Sequence, residues 1–206
     1  SYLKINKDAF VFGCFNNSYK ISSREFSIWM RLLDKVYNSY LILLINDELT
    51  KENLIKQILK SKQDPNRVKF LEFVNNEDHL ARHQLIDLYL DTFNYNGHTS
   101  SVDALYSGIP ILTKRGYSFT ARVCASILKA ANMSELIVNN EEDYFNLAYE
   151  IAINKEKHSK LKKDLKYNLK QTPLFDTRKY VINLEKGYEL ALKSRANNDK
   201  IEYIEV

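Results

Sequence analysis

Tyr40-Leu41-Ile42-Leu43-Leu44-Ile45 is six apolar or aromatic residues in a row. A strand with one wet face alternates apolar and polar residues, whereas a strand covered on both faces reads as an unbroken apolar run. The stretch is therefore expected to be an inner strand of a parallel sheet with helices on either side. Working outward supports this. Upstream, Phe10–Phe15 is a short apolar run and a second strand. Between the two, Ser22-Ser23-Arg24-Glu25 has the spacing of a capping box, and Phe26, Trp29, Met30, Leu32 and Leu33 repeat at helical intervals. Downstream, Thr50 is placed as the cap of a helix whose core side is Leu54, Ile55, Ile58 and Leu59. Asp64-Pro65-Asn66 is a turn, and Val68–Val74 a third strand.

The alternation continues. Glu77–Leu85 is predicted as a helix, Asp87–Leu90 as a short strand, Ser101–Ser107 as a helix stopped by Gly108, and Ile109–Thr113 as a strand. Ala121–Ala130 follows as a helix and Leu136–Val138 as a small strand. From Glu141 on the pattern is helical: Tyr144–Ile153, Lys155–Gln171 and Asp176–Lys193. Strands alternating with helices imply one doubly wound α/β domain, Rossmann-like, with a helical C-terminal tail. In such sheets ligands sit at the C-terminal ends of the strands, against helix N-termini.

Composition narrows the classes. The 206 residues are 45% hydrophobic and 27% charged, which excludes disorder, collagen and coiled coil as global descriptions. A net charge of +4 is too small to argue for nucleic acid, and no nucleic-acid partner is expected. Two cysteines, Cys14 and Cys124, stand far apart in apolar surroundings and are expected as reduced buried thiols. Four histidines with no close Cys/His grouping make a metal site unexpected. No apolar run reaches the ~18 residues of a membrane span. No signal-peptide pattern is visible, and a chain opening at Ser1 reads as a piece cut from a longer protein.

Neither a dinucleotide fingerprint nor a Walker loop is present, since Gly13 has no glycine partners. Three polar segments stand at predicted strand ends instead. Asn96-Gly97-His98-Thr99-Ser100-Ser101-Val102-Asp103 turns sharply from strand to helix and brings hydroxyls and free N–H groups to a helix N-terminus, an arrangement suited to phosphate. Asp103, one turn in, can accept from sugar hydroxyls. Phe15-Asn16-Asn17-Ser18-Tyr19-Lys20-Ile21 supplies one lysine. Asn76-Glu77-Asp78-His79-Leu80-Ala81-Arg82-His83 puts His79 and Arg82 on one helix face, where a ring and a guanidinium can hold a base edge. Each segment alone has a plainer account, as a capped helix start or a solvated loop. Lys155–Lys170 holds seven lysines with Leu161, Leu165 and Leu169 at spacing four. It is expected to pack on its leucines with a solvated lysine face and His158 on the surface.

The sequence resembles the C-terminal half of the catalytic region of O-linked N-acetylglucosamine transferases, glycosyltransferase family 41, which includes the SPINDLY-like proteins. The matching words are Phe15-Asn16-Asn17-Ser18-Tyr19-Lys20-Ile21, Gln84-Leu85-Ile86-Asp87 with Leu90-Asp91-Thr92, Asn96-Gly97-His98-Thr99-Ser100, and Pro173-Leu174-Phe175-Asp176-Thr177. They cover essentially the whole chain, in order. The resemblance implies a GT-B architecture in which residues 1–206, helices 141–194 included, form the half that binds a nucleotide-sugar. The preceding half and the family's tetratricopeptide repeats would lie elsewhere in the parent protein. By the same resemblance Lys20 is the catalytic contact to the diphosphate, beside Asn17, which stands where animal transferases carry glutamine. His98, Thr99 and Ser100 would hold the pyrophosphate and Asp103 the ribose. His79 and Arg82, with the backbone near Val74, would hold the uracil. Asn76 departs from the lysine of the animal enzymes near the ribose.

The resemblance further implies a cytoplasmic enzyme that moves a sugar, N-acetylglucosamine by first preference, from a UDP-sugar to Ser or Thr hydroxyls of acceptor proteins. The displacement would invert the anomeric centre, with neither metal nor cofactor beyond the donor. Two alternatives stay open: transfer of another sugar, such as fucose from a GDP donor, and a nucleotide-sugar-binding regulatory module without turnover. A nucleotide-sugar epimerase of related architecture fits less well, because of Pro173–Thr177.

Overall fold

The computed structural model describes residues 3–197 and 203–205; residues 1, 2, 198–202 and 206, at the ends of the span expected as one domain, lie outside the described residues. Six strands form one parallel sheet: β1 Phe10–Cys14, β2 Ser39–Leu44, β3 Val68–Leu71, β4 Leu88–Leu90, β5 Ile111–Lys114 and β6 Ile137–Val138. Their order across the sheet is β3-β2-β1-β4-β5-β6. Phe12 lies beside Leu41 on one side and Leu88 on the other, so β1 is central. Among the described residues eight α-helices accompany the strands: α1 Ser23–Lys35, α2 Glu48–Lys60, α3 Asn76–Arg82, α4 Thr99–Tyr106, α5 Val123–Ala130, α6 Glu141–Ile153, α7 Lys155–Gln171 and α8 Thr177–Ala196. This is the doubly wound α/β fold with a helical tail that the alternation predicts.

The apolar patterns account for the core. Leu41, Ile42 and Leu43 are fully buried, as an inner parallel strand requires. The stripe of α1 (Phe26, Trp29, Met30, Leu32, Leu33) is buried as well, each such side chain contributing roughly 1.5–3 kcal/mol. The capping box forms, with the Glu25 carboxylate accepting the Ser22 N–H at 2.7 Å. A line of polar contacts crosses this core toward the sheet edge. Trp29 Nε1 donates to the Tyr144 hydroxyl at 3.5 Å, and that hydroxyl donates to the Asp91 carbonyl at 3.0 Å. It ties α1 and α6 to the end of β4. Cys14 and Cys124 are free and buried, as expected.

Several boundaries differ from expectation. Asp47, not Thr50, caps α2; its carboxylate accepts the Thr50 N–H at 2.7 Å. On that helix Ile58 is buried, but Leu59 points to solvent. Strand β3 stops at Leu71, because Phe73 N–H donates to the Asn46 side chain and the Glu72 carbonyl accepts from Arg82. Helix α3 tightens to a 3-10 turn at His83. Helix α4 begins at Thr99, two residues earlier than expected, and Gly108 ends it in the left-handed region at φ 78°. Helix α5 begins at Val123 rather than Ala121.

In the tail, α7 packs on buried Leu161 and Leu165 as its spacing predicts. His158, expected on the surface, is instead half-buried: its Nε2 meets the Asp87 carbonyl at 3.0 Å and its ring stands edge-on to Phe10. Helix α8 buries none of its residues, and Tyr180, Leu184 and Tyr188 along it are exposed. Among the described residues no helix is long and apolar enough to cross a membrane.

Candidate functional site

The strand order reverses between β1 and β4. The chain leaves β1 toward β2 and leaves β4 toward β5, so the loops after these two strands diverge and open a crevice. Polar side chains that the core would otherwise reject gather there: Asn16, Asp91, Thr92 and Asn96 are all nearly or fully buried. Burial of a polar group is tolerated when its hydrogen bonds are made. Asp91 accepts from the Gly97 N–H at 2.7 Å, the Thr113 hydroxyl at 2.6 Å and the Asn16 amide at 3.1 Å. Burial pushes its carboxyl up to about 6 while these donors pull it back. The Asn96 amide donates to the Thr92 carbonyl at 2.7 Å. A Cβ at Gly97 would stand 2.5 Å from Ser101 Oγ and 2.8 Å from Asn16 Oδ1, so any larger residue must displace side chains of this network.

The turn delivers the N-terminus of α4 to the crevice. Its first three N–H groups have no intrahelical partner, and the His98 side chain does not cap them. Thr99 is exposed and Ser100 half-buried. The His98 ring lies 5.1 Å from that of Tyr95, and its buried Nε2 has no hydrogen-bond partner. Across the crevice, Lys20 donates to the Asn96 carbonyl at 3.1 Å and holds its ammonium 3.9 Å over the Tyr95 ring. Burial lowers its pKa, and the Asp91 charge works against that shift. Among the described residues Lys20 makes no ion pair. Asn17, three residues before it, is exposed.

Helix α3 supplies a second cluster. Arg82 lies over the Phe15 ring at 5.3 Å and donates to the Glu72 carbonyl at 2.6 Å and to His79 Nδ1 at 3.1 Å. Since His79 Nδ1 accepts, its Nε2 carries the hydrogen and faces Asp103 at 3.8 Å. Burial, then the Arg82 cation, lowers the His79 pKa; Asp103 opposes them. Burial raises the Asp103 carboxyl and His79 counters it. The structure thus joins His79 and Arg82 on α3 to Asp103 on α4, and Lys20 to the 96–100 turn. Val74 lies exposed on the loop between β3 and α3.

Sequence reasoning did not single out four groups that build the site. Asn16, Tyr95 and Asp91 hold the turn and the lysine, and His83 is buried behind Phe15. The His83 ring stands edge-on to Phe15 at 4.9 Å, its Nδ1 lies 2.8 Å from the His79 carbonyl, and burial pushes it down to about 4. Asn16 and Asp91 stand inside the quoted words, but nothing local marks them as buried. A cavity of about 890 Å³ lies at the opposite edge of the sheet, between α7 and the C-terminal end of α4, lined by Lys162, Lys166, Lys170, Tyr106 and Phe175 among others. It shares no residue with the crevice. Among the described residues no three His, Cys, Asp or Glu side chains cluster so as to hold a metal ion.

The family model of Glycosyl transferase family 41 matches residues 1–184. A probable UDP-N-acetylglucosamine–peptide N-acetylglucosaminyltransferase SEC of Arabidopsis thaliana is 33% identical over 183 residues, 88% of this chain and 19% of the relative. A UDP-N-acetylglucosamine–peptide N-acetylglucosaminyltransferase of Caenorhabditis elegans is 31% identical over 178 residues, 86% of this chain and 16% of the relative. The chain thus spans about a fifth of the length of these relatives. Among solved structures, an O-GlcNAc transferase mutant of Thermobaculum terrenum superposes with TM-score 0.81 at 26% identity, covering 90% of this chain and 38% of that one. A putative UDP-N-acetylglucosamine 2-epimerase of Listeria monocytogenes, at TM-score 0.52 and 15% identity over 78% of this chain and 40% of that one, shares the fold alone.

Proposed function

The chain belongs to glycosyltransferase family 41, and on that premise we propose that it is the donor-binding half of a GT-B enzyme. The parent protein would transfer N-acetylglucosamine from its UDP conjugate to Ser or Thr hydroxyls of proteins, with inversion and without a metal. The observation that carries this reading is the crevice at the strand reversal, where an uncapped helix N-terminus faces a lysine without a carboxylate partner. Both features favour an anion, and a departing diphosphate is the anion that glycosyl transfer creates.

Lys20 exchanges the Asn96 carbonyl and the Tyr95 face for the diphosphate, neutralising charge as the glycosidic bond breaks. Such a group is typically worth ~3–4 kcal/mol in the transition state. The free N–H groups of Thr99 and Ser100 bind phosphate oxygens, and His98 Nε2 lies beside them. Asp103 accepts from the ribose, while Arg82 and His79, on the Phe15 side of the crevice, hold the base. Val74 and Asn17 would complete the pocket from its rim. The site for the acceptor protein and the group that takes its proton would lie largely in the preceding half of the parent enzyme.

Titration calorimetry on the full-length protein tests the reading. UDP is expected to bind more tightly than GDP. Equal or reversed affinities overturn the uridine assignment, and absence of binding to either overturns the donor site.

A further inference from the structure

Asn16 is 1% exposed and sits where β1 ends, in contact with β4 and with the first turn of α4. We infer that Asn16 is a positioning residue: its amide fixes the α4 N-terminus against the ends of β1 and β4, and so sets the shape of the diphosphate site. This rests on the donor-site reading above and adds a residue that does not itself reach the nucleotide.

The orientation of the amide follows from its neighbours. The Thr92 hydroxyl gives its hydrogen to the Tyr95 carbonyl at 2.6 Å, so toward Asn16 it can only accept. Asp91 Oδ1 is an acceptor too, given its bonds from Gly97 and Asn16. Asn16 therefore presents Nδ2 to both, at 2.8 Å and 3.1 Å. On the other side, the Tyr89 hydroxyl accepts the Phe15 N–H at 3.0 Å and passes its own hydrogen to Asn16 Oδ1 at 3.1 Å. The Ser100 hydroxyl donates to the same oxygen. Both donors and both lone pairs of the amide are used, three of them on the β4 strand end and one on α4.

Two consequences follow. The Ser100 hydroxyl hydrogen is turned inward, so Ser100 offers a ligand its backbone N–H. The side chain at 16 must also donate on one side and accept on the other, which an amide does and a carboxylate does not. Asn16→Asp keeps the shape but sets a second carboxylate against Asp91, and two carboxylates at that distance share a proton. Once protonated, the new carboxyl can donate to Asp91 and still accept from Tyr89 and Ser100. The variant should therefore recover as pH falls. The other titratable groups facing this pair are Cys14 on β1, Lys20, Tyr89 on β4, Cys124 on α5 and Tyr144 on α6, with Glu25 of α1 and His83 of α3 one shell behind. Lys20 is the cation nearest to them, and the thiols and phenols stay neutral because burial raises their pKa values.

The experiment is titration of UDP into full-length wild type, Asn16→Ala and Asn16→Asp at pH 5.5 and 8.0, with ligand-free thermal unfolding alongside. Affinity is read as the ratio of variant to wild type at each pH, which cancels the titration of UDP itself. Asn16→Ala should lose about tenfold at both pH values, the scale of one or two hydrogen bonds. Asn16→Asp should lose at least as much at pH 8.0 and regain threefold or more at pH 5.5. Ratios within threefold of unity for both variants at both pH values overturn the inference. So does an Asn16→Asp loss that is the same at both, which would mark a merely structural residue. If Asn16→Ala fails to fold, the near-isosteric Asn16→Asp decides alone. Failure of wild type to bind UDP overturns the donor-site reading and this inference with it, whereas wild-type binding with unaffected variants overturns only the inference.

Discussion

Two arginines on aromatic rings show how differently this molecule treats its cations. Arg31 on α1 lies over Phe145 at 3.6 Å and forks onto the Glu142 carboxylate at 2.7 and 2.8 Å. Arg82 on α3 lies over Phe15 at 5.3 Å, but its partners are the Glu72 carbonyl and a histidine nitrogen. The α1–α6 seam is neutralised within itself, by the Arg24–Glu141 pair as well. At the crevice, Arg82 and Lys20 lean on neutral groups, and their pKa values are lowered by burial. A fold gains little from half-buried cations without counter-charges. Their retention at one strand-end crevice is what an anionic ligand would explain.

The contrast can be broken in several ways. The largest effect expected is loss of transfer from the 206-residue chain alone. Orientation of donor against acceptor is a large part of the rate, and on the proposed reading these 206 residues hold only the donor side. Labelled UDP-N-acetylglucosamine with a serine-containing acceptor should give transfer by the full-length protein and none by the fragment. Comparable rates would mean that a base lies in this half, with His98 first to be tested. Next, Lys20→Ala in the full-length protein should lower turnover about a hundredfold or more. Its unfolding midpoint should hardly move, because Lys20 lies outside the apolar core. A rate within threefold of wild type would remove Lys20 from the mechanism.

Arg82→Ala should weaken UDP binding about tenfold, the scale of one charge-assisted contact. Arg31→Ala should leave UDP affinity unchanged and the unfolding midpoint within about 2 °C, as exposed pairs contribute little. Equal effects of the two would dissolve the distinction between seam and crevice. The smallest effect concerns pH. His83 is held near 4 when folded, against 6.5 unfolded, so the unfolded state binds the extra proton. Its share of stability is complete above about pH 6.5 and is lost as pH falls toward 4. Asp91, raised to about 6, acts with the opposite sign over much the same window. Urea unfolding of wild type and His83→Gln at pH 6.5 and 4.5 should show the variant losing less stability on acidification. A larger loss in the variant would mean that His83 is charged in the fold.

Much of this was open to a reader of the sequence. The unbroken run 40–45, the capping box at Ser22–Glu25 and the leucines of α7 follow from local spacing and short-range bonds, and all stand where expected. Boundaries that depended on a distant partner did not. Strand β3 ends early because Asn46 and Arg82 take its hydrogen bonds, and His158 turns inward to reach Asp87. Asn46 lies 27 residues from Phe73 and Asp87 lies 71 from His158, so no window around those residues could reveal them.

The candidate site divides along the same line. From the sequence alone came the doubly wound order of elements, the polar strand-to-helix turn at 96–103, and Lys20, His79, Arg82 and Asp103 as candidate ligand contacts, since residue type and position after a strand suffice to propose them; that the helix starts at Thr99 rather than Ser101 came from the structure. Tertiary structure decided that α3 and α4 meet through His79 and Asp103, that Tyr95 and the Asn96 carbonyl carry Lys20, and that Asn16 locks the turn. Asn16 reaches Asp91, Thr92 and Ser100 across 75 to 84 residues of chain. Its burial exists only once β1 and β4 pair, and a buried amide must then satisfy every donor and acceptor, which gives an ordinary asparagine its one orientation.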